Sequence, residues 1–212
     1  MRKLTGSVLL TTAAVTLTLG LSAPTSFATT AVKTWTVKPG GSITGVAKNP
    51  KLTDTATGTV LTCTTLNAAG TAKAGSGLSG TNVASITSVT FKTCTGPLGL
   101  TFTVTTAHLP WELSAKSYNA ATGVTRGIIT GGHASLSGSG CSAVVDGTSA
   151  TADNGSIAGT YTNGTHKLKT LTTGGNLHIY DVSGCFGLIA NGDAATLSGN
   201  ATITPAQTIT SP

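Results

Sequence analysis

Between Ser85 and Tyr118, hydrophobic and polar residues alternate with a period of two. Val89 and Phe91 alternate with Thr90 and Lys92. Leu98, Leu100, Phe102 and Val104 alternate with Gly99, Thr101, Thr103 and Thr105, and Trp111, Leu113 and Ala115 with Glu112, Ser114 and Lys116. That period belongs to strands with one buried and one wet face. The runs are separated by Cys94-Thr95-Gly96-Pro97 and His108-Leu109-Pro110, both rich in chain-bending residues. The pattern predicts an antiparallel meander at the centre of a β domain.

The same reading places strands at Val32–Val37, Ser42–Lys48 and Thr57–Thr64 before the meander. After it come Gly123–Thr130, His133–Gly138, Cys141–Val145, Ser156–Thr162, Thr165–Leu171, Asn176–Val182 and Ala194–Ile203. Asp146-Gly147, Asn154-Gly155, Asn163-Gly164 and Asn191-Gly192 are candidate type I′ hairpin turns. Asn67–Thr81, rich in Ala, Gly, Ser and Thr, reads as a long exposed connection. The tail from about 205 reads as frayed. About twelve short strands at this spacing predict an antiparallel all-β sandwich or barrel.

Composition agrees. Thr occupies 44 positions and Gly 28, while only 8% of residues are charged. Thr suits a pleated, half-wet surface, and no window carries a helical apolar stripe. The first 28 residues read as a secretory signal peptide: Arg2-Lys3, an apolar Val8–Leu21, and a cleavage site at Ser26-Phe27-Ala28. Residues 29–212 then form a single all-β domain with no transmembrane span. Export makes the cysteines meaningful. Cys63, Cys94, Cys141 and Cys185 are an even set, and an oxidising compartment favours two disulfides. Val89-Thr-Phe91-Lys-Thr-Cys94-Thr-Gly96 echoes Tyr180-Asp-Val182-Ser-Gly-Cys185-Phe-Gly187, and each copy follows a more isolated cysteine. The echo favours Cys63–Cys94 and Cys141–Cys185, acting as structural staples because no C-x-x-C is present.

Residues 29–212 hold ten basic and six acidic side chains, a net charge of +4. Lys33, Lys38, Lys48 and Lys51 lie close in sequence, and Lys167 and Lys169 share a strand face. These groups suit an anionic cell-wall polymer. Nucleic acid is excluded, because the basic residues are few and no aromatic platform accompanies them.

Catalytic patterns are missing. The histidines, His108, His133, His166 and His178, form no H-x-H or H-E-x-x-H, so a zinc site would need ligands gathered from distant strands. G-x-S-x-G is not present. Glycoside hydrolysis needs two carboxyls, and Glu112, the only Glu, reads as a solvated strand residue. Trp35 and Trp111 share strand phase with Val37 and with Leu113, which makes them core anchors before sugar platforms. No catalytic, cofactor-binding or metal residue is assigned.

The chain resembles an uncharacterised family of small secreted β-rich actinobacterial proteins with four cysteines. The resemblance rests on Trp35-Thr-Val-Lys-Pro-Gly-Gly41, Leu52-Thr-Asp-Thr55, Cys94-Thr-Gly-Pro-Leu-Gly-Leu100, Leu109-Pro-Trp111, Gly174-Gly-Asn-Leu-His-Ile-Tyr180 and Val182-Ser-Gly-Cys185. It implies export, a β-rich body and four cysteines, and brings no catalytic residues. The functional expectation is a secreted or envelope-associated protein that binds surfaces without catalysis. The alternatives are a module for a small apolar ligand, with a pocket lined by Trp111, Phe102 or Tyr180, and then a secreted hydrolase.

Overall fold

A computed structural model describes residues 33–212. The signal segment predicted at 1–28 lies outside the described residues. In chain order the strands are β1 Trp35–Lys38, β2 Gly41–Lys48, β3 Lys51–Asp54, β4 Val60–Ala72, β5 Gly75–Leu78 and β6 Ala84–Thr95. Next come β7 Thr101–Thr106, β8 Trp111–Asn119, β9 Val124–Gly132, β10 Ala134–Gly138, β11 Cys141–Asp146 and β12 Gly155–Thr162. The last five are β13 Lys167–Thr170, β14 His178–Ser183, β15 Ala195–Ser198, β16 Asn200–Thr204 and β17 Thr208–Thr210. Among the described residues a single 3-10 turn, Pro97–Gly99, accompanies them. No described helix is long and apolar enough to cross a membrane.

Pairing is antiparallel throughout, and it closes into rings. β6, β8, β9, β12, β13, β16, β2 and β4 pair in that order, and β4 pairs back onto β6. A second ring runs β6, β7, β10, β11, β14, β15, β3 and β4. It closes through the His178–Ala194 bridge and the bonds Ile179 N to Asp193 O and Ala195 N to Leu177 O, both 2.8 Å. The barrel alternative therefore describes the molecule, doubled. Among the described residues, closure leaves neither ring with an unpaired edge strand. The shared strands make this possible: β4 has 13 residues and β6 has 12, roughly 40 Å of extended chain each.

This length explains why the central segment is not a meander. β8 pairs with the start of β6 (Ala84–Ile86) and β7 with its end (Cys94–Thr95), so the two flank β6 at opposite ends. Asn67–Thr81 is not one exposed connection either, because β4 runs on to Ala72. Packing demands the glycine there: a Cβ on Gly70 would collide with the Ser85 carbonyl oxygen.

The tail is ordered. Thr208–Thr210 pairs with β1, and Gln207 and Ile209 are buried. β17, β1 and β5 make a three-stranded sheet whose Trp35, Val37 and Ile209 pack with Ala72, Val83 and Tyr161. Facing the lumen of the first ring, it acts as a plug.

Both disulfides are those the echo favours, Cys63–Cys94 and Cys141–Cys185. Cys63 and Cys94 also face each other in the β4–β6 register. None of the four predicted Asn-Gly or Asp-Gly turns has both residues at positive φ. The two-residue hairpin is instead Ser139-Gly140, at φ 51° and 76°, between β10 and β11.

Candidate functional site

Three features stand out, and each follows from the two-ring topology. The first is on the outer wall of the first ring. Along β9, β12, β13, β16, β2, β4 and β6, Arg126 pairs with Thr160, Thr160 with Lys169, and Lys169 with Asn200. Ala201 opposite Ala47 sets Asn200 beside Lys48; Lys48 pairs with Thr65, and Thr65 with Lys92. Directly paired residues share a face, so Arg126, Lys169, Lys48 and Lys92 form one exposed row with a polar residue between each pair. Strands lie about 4.8 Å apart, which spaces the cations about 10 Å from one another. No carboxylate stands in the row, and among the described residues no Lys or Arg forms an ion pair. Of the lysines singled out by sequence, Lys48 and Lys169 belong to this row and Lys167 lies beside it. Lys33 sits instead over the Trp35 ring, 5.5 Å from its centroid. Arg126 and Lys92 were missed, since their neighbourhood exists only across strands.

The second feature is the lumen of the first ring, an apolar cavity of about 140 Å3 bounded by Ile43, Ala68, Trp111, Tyr161, Ile203 and Ile209 among others. Trp111, Ile157, Leu197 and Pro50 also bound a smaller cavity in the second ring and so separate the two interiors. Of the three residues expected around an apolar pocket, only Trp111 is here. Phe102 borders a different, smaller cavity near Cys141–Cys185, and Tyr180 donates its hydroxyl to Gly147 O. Both tryptophans are buried core residues.

The third feature lies where the chain passes between rings. The β7–β8 passage carries His108, the β9–β10 passage His133, and the β11–β12 passage runs from Asp146 past Asp153. His133 Nδ1 is 3.0 Å from Asp146 Oδ2 and 3.2 Å from Asp153 Oδ1, while His108 Nδ1 is 3.0 Å from Asp153 Oδ2. The two imidazole centroids are 4.6 Å apart. Asp146 is fully buried. It accepts the backbone N–H groups of Gly147, Asp153, Asn154 and Gly155. Burial pushes its carboxyl upward, but the bonds from Gly147, His133, Asp153 and Asn154 outweigh that and hold it below the usual carboxylate value. One Nδ1 proton cannot serve two carboxylates; with Asp146 nearer, the buried Asp153 Oδ1 has no hydrogen bond from any described group. His108 and Asp153 both take left-handed backbone, φ 54° and 51°.

This arrangement can hold a proton or a cation. It is not a Ser-His-Asp triad, because among the described residues the His133 ring bonds only to carboxylates. His166 and His178 stand apart, His178 Nδ1 bonding Asn176 O and Gly147 O. Glu112 accepts from Ser85 Oγ at 2.9 Å. It is half-buried, less solvated than expected. Sequence reading missed the cluster because its members lie up to 45 positions apart, on three separate passages. No family model, no curated protein and no solved structure matches this chain.

Proposed function

We propose that this chain is an exported protein of a Gram-positive bacterium that binds an anionic polymer of the cell envelope without catalysing a reaction. The cation row carries the reading. A polyanion lying across the strands meets a positive group about every 10 Å, with no intervening carboxylate to repel it. Attraction of this kind between exposed charges weakens with ionic strength, since the screening length is about 8 Å at physiological salt. The test is retention on purified cell walls across a salt series, comparing wild type with Lys48→Gln/Lys92→Gln/Lys169→Gln. The reading expects salt-sensitive binding that the triple variant loses. Salt-insensitive binding, or a variant that binds like wild type, overturns it.

A second reading rests on the lumen. An apolar space of about 140 Å3 is the size of one aromatic ring or a short alkyl chain, and eight-stranded barrels are known to hold one small ligand. Because Trp111 bounds the cavity, its fluorescence should respond to a brominated benzene if the lumen is filled. An unchanged Trp111 signal at saturating probe would count against it.

A further inference from the structure

We propose that His108, His133 and Asp153, with Asp146 behind them, form a divalent metal site of the zinc type. Geometry comes first. Ligand atoms about 2.0–2.1 Å from a tetrahedral zinc ion lie about 3.3 Å from one another. The contacts here are 3.0, 3.2 and 3.0 Å, and the donor atoms of His108, His133 and Asp153 all fall within 4.8 Å. Proton bookkeeping comes second. His133 Nδ1 carries at most one proton for two facing carboxylate oxygens, which leaves Asp153 Oδ1 buried without a partner. A dication between His108, His133 and Asp153 takes a donor atom from each, and Asp153 Oδ1 gains a partner. Chemistry comes third: two imidazoles and carboxylate oxygen are the borderline donors that zinc accepts.

Support for the ligands is built in. Asp146 is immobilised by four backbone N–H groups, and its carboxylate, 3.0 Å from His133 Nδ1, places a fixed negative charge beside the ion. Asp153 bridges the two imidazoles, one oxygen to each. The side chain of His108 is 52% exposed, so the site opens to solvent on one side. That gives an ion a route in and leaves a coordination position for water. All three ligands sit on passages between the rings, so a bound ion would tie those passages together.

The experiment is isothermal titration of ZnCl2 into the full chain, without a polyhistidine tag, followed by EDTA reversal. Wild type should bind one ion. His108→Asn and Asp153→Asn alter side chains outside the hydrophobic core, so they should stay folded by circular dichroism and lose binding. Asp146→Asn should weaken binding by roughly 10–100-fold, as loss of a supporting carboxylate does elsewhere. His178→Asn should bind like wild type. Co2+ should give the intense visible bands of a tetrahedral site in wild type and His178→Asn, and in neither His108→Asn nor Asp153→Asn. Absence of one-to-one binding by wild type overturns the proposal. So does undiminished affinity in both folded ligand variants, which would place the ion elsewhere.

Discussion

Tyr161→Phe removes one oxygen atom, and the structure says it should open the plug of the first ring. The Tyr161 hydroxyl donates to Gln207 O at 2.8 Å and accepts from Gln207 N at 3.1 Å. Gln207 in turn receives the Gly40 N–H on Oε1 at 2.9 Å, which links the tail to the turn after β1. Tyr161 is 5% exposed and Gln207 2%, so phenylalanine leaves a buried carbonyl and a buried N–H with no partner. Each such group costs roughly 1–3 kcal/mol. Allowing for partial relaxation, the expected loss is about 2–4 kcal/mol, a large part of a typical stability of about 5–15 kcal/mol. β17 pairs with β1 through only three residues, so the loss should appear first as local opening. Urea unfolding would read the global change, and hydrogen exchange at Val37 and Ile209 the local one. There is also an alkaline signature. Burial raises the Tyr161 phenol above 10.0, a rise the bond from Gln207 only partly offsets. A raised folded value means stability that is complete below pH 10 and lost as pH climbs through that value; phenylalanine lacks this slope. A change below about 0.5 kcal/mol, the ordinary surface range, with unaltered exchange at both amides, would refute the reasoning.

Other outcomes follow from the same structure. Opening Cys63–Cys94 or Cys141–Cys185, which close loops of 31 and 44 residues, should each cost about 4 kcal/mol by chain entropy; reductant that leaves the melting temperature unchanged would deny both bridges a stabilising role. Ala68→Leu adds a side chain to the lumen. It should cost less than about 1 kcal/mol, against about 1–3 for overpacking a filled core, and should abolish probe uptake in the Trp111 fluorescence assay. Asp146, held below 3.8, contributes stability that is present above that pH and lost as pH falls beneath it. Asp146→Asn should therefore flatten the acid limb of urea midpoint against pH, measured without divalent metal because His133 and Asp153 face the same carboxyl. An unchanged limb would mean Asp146 is not acid-sensitive in the fold.

The local pattern carries a great deal of this protein. Alternation along Val89–Phe91, Phe102–Val104 and Trp111–Ala115 marks strands and their inward faces, because a two-residue period is a property of the extended chain itself. The paired cysteines are legible for a similar reason: two copies of one short strand-cysteine-turn phrase sit in the sequence. What sequence could not reveal is which strands meet. β4 looks broken at Asn67–Ala72 because Ala and Gly there resemble a loop, and only the close approach of β6 makes a glycine obligatory at Gly70. That misreading hid the length of the shared strands, and with it the two rings. The cation row and the His108–His133–Asp146–Asp153 cluster are products of that closure. Arg126, Lys169, Lys48 and Lys92 become neighbours through register across seven strands, and the cluster forms where three passages cross one seam. Composition and periodicity are short-range quantities and fix which residues face inward. Partnership between distant strands depends on loop closure and sheet register, which the folded chain alone decides.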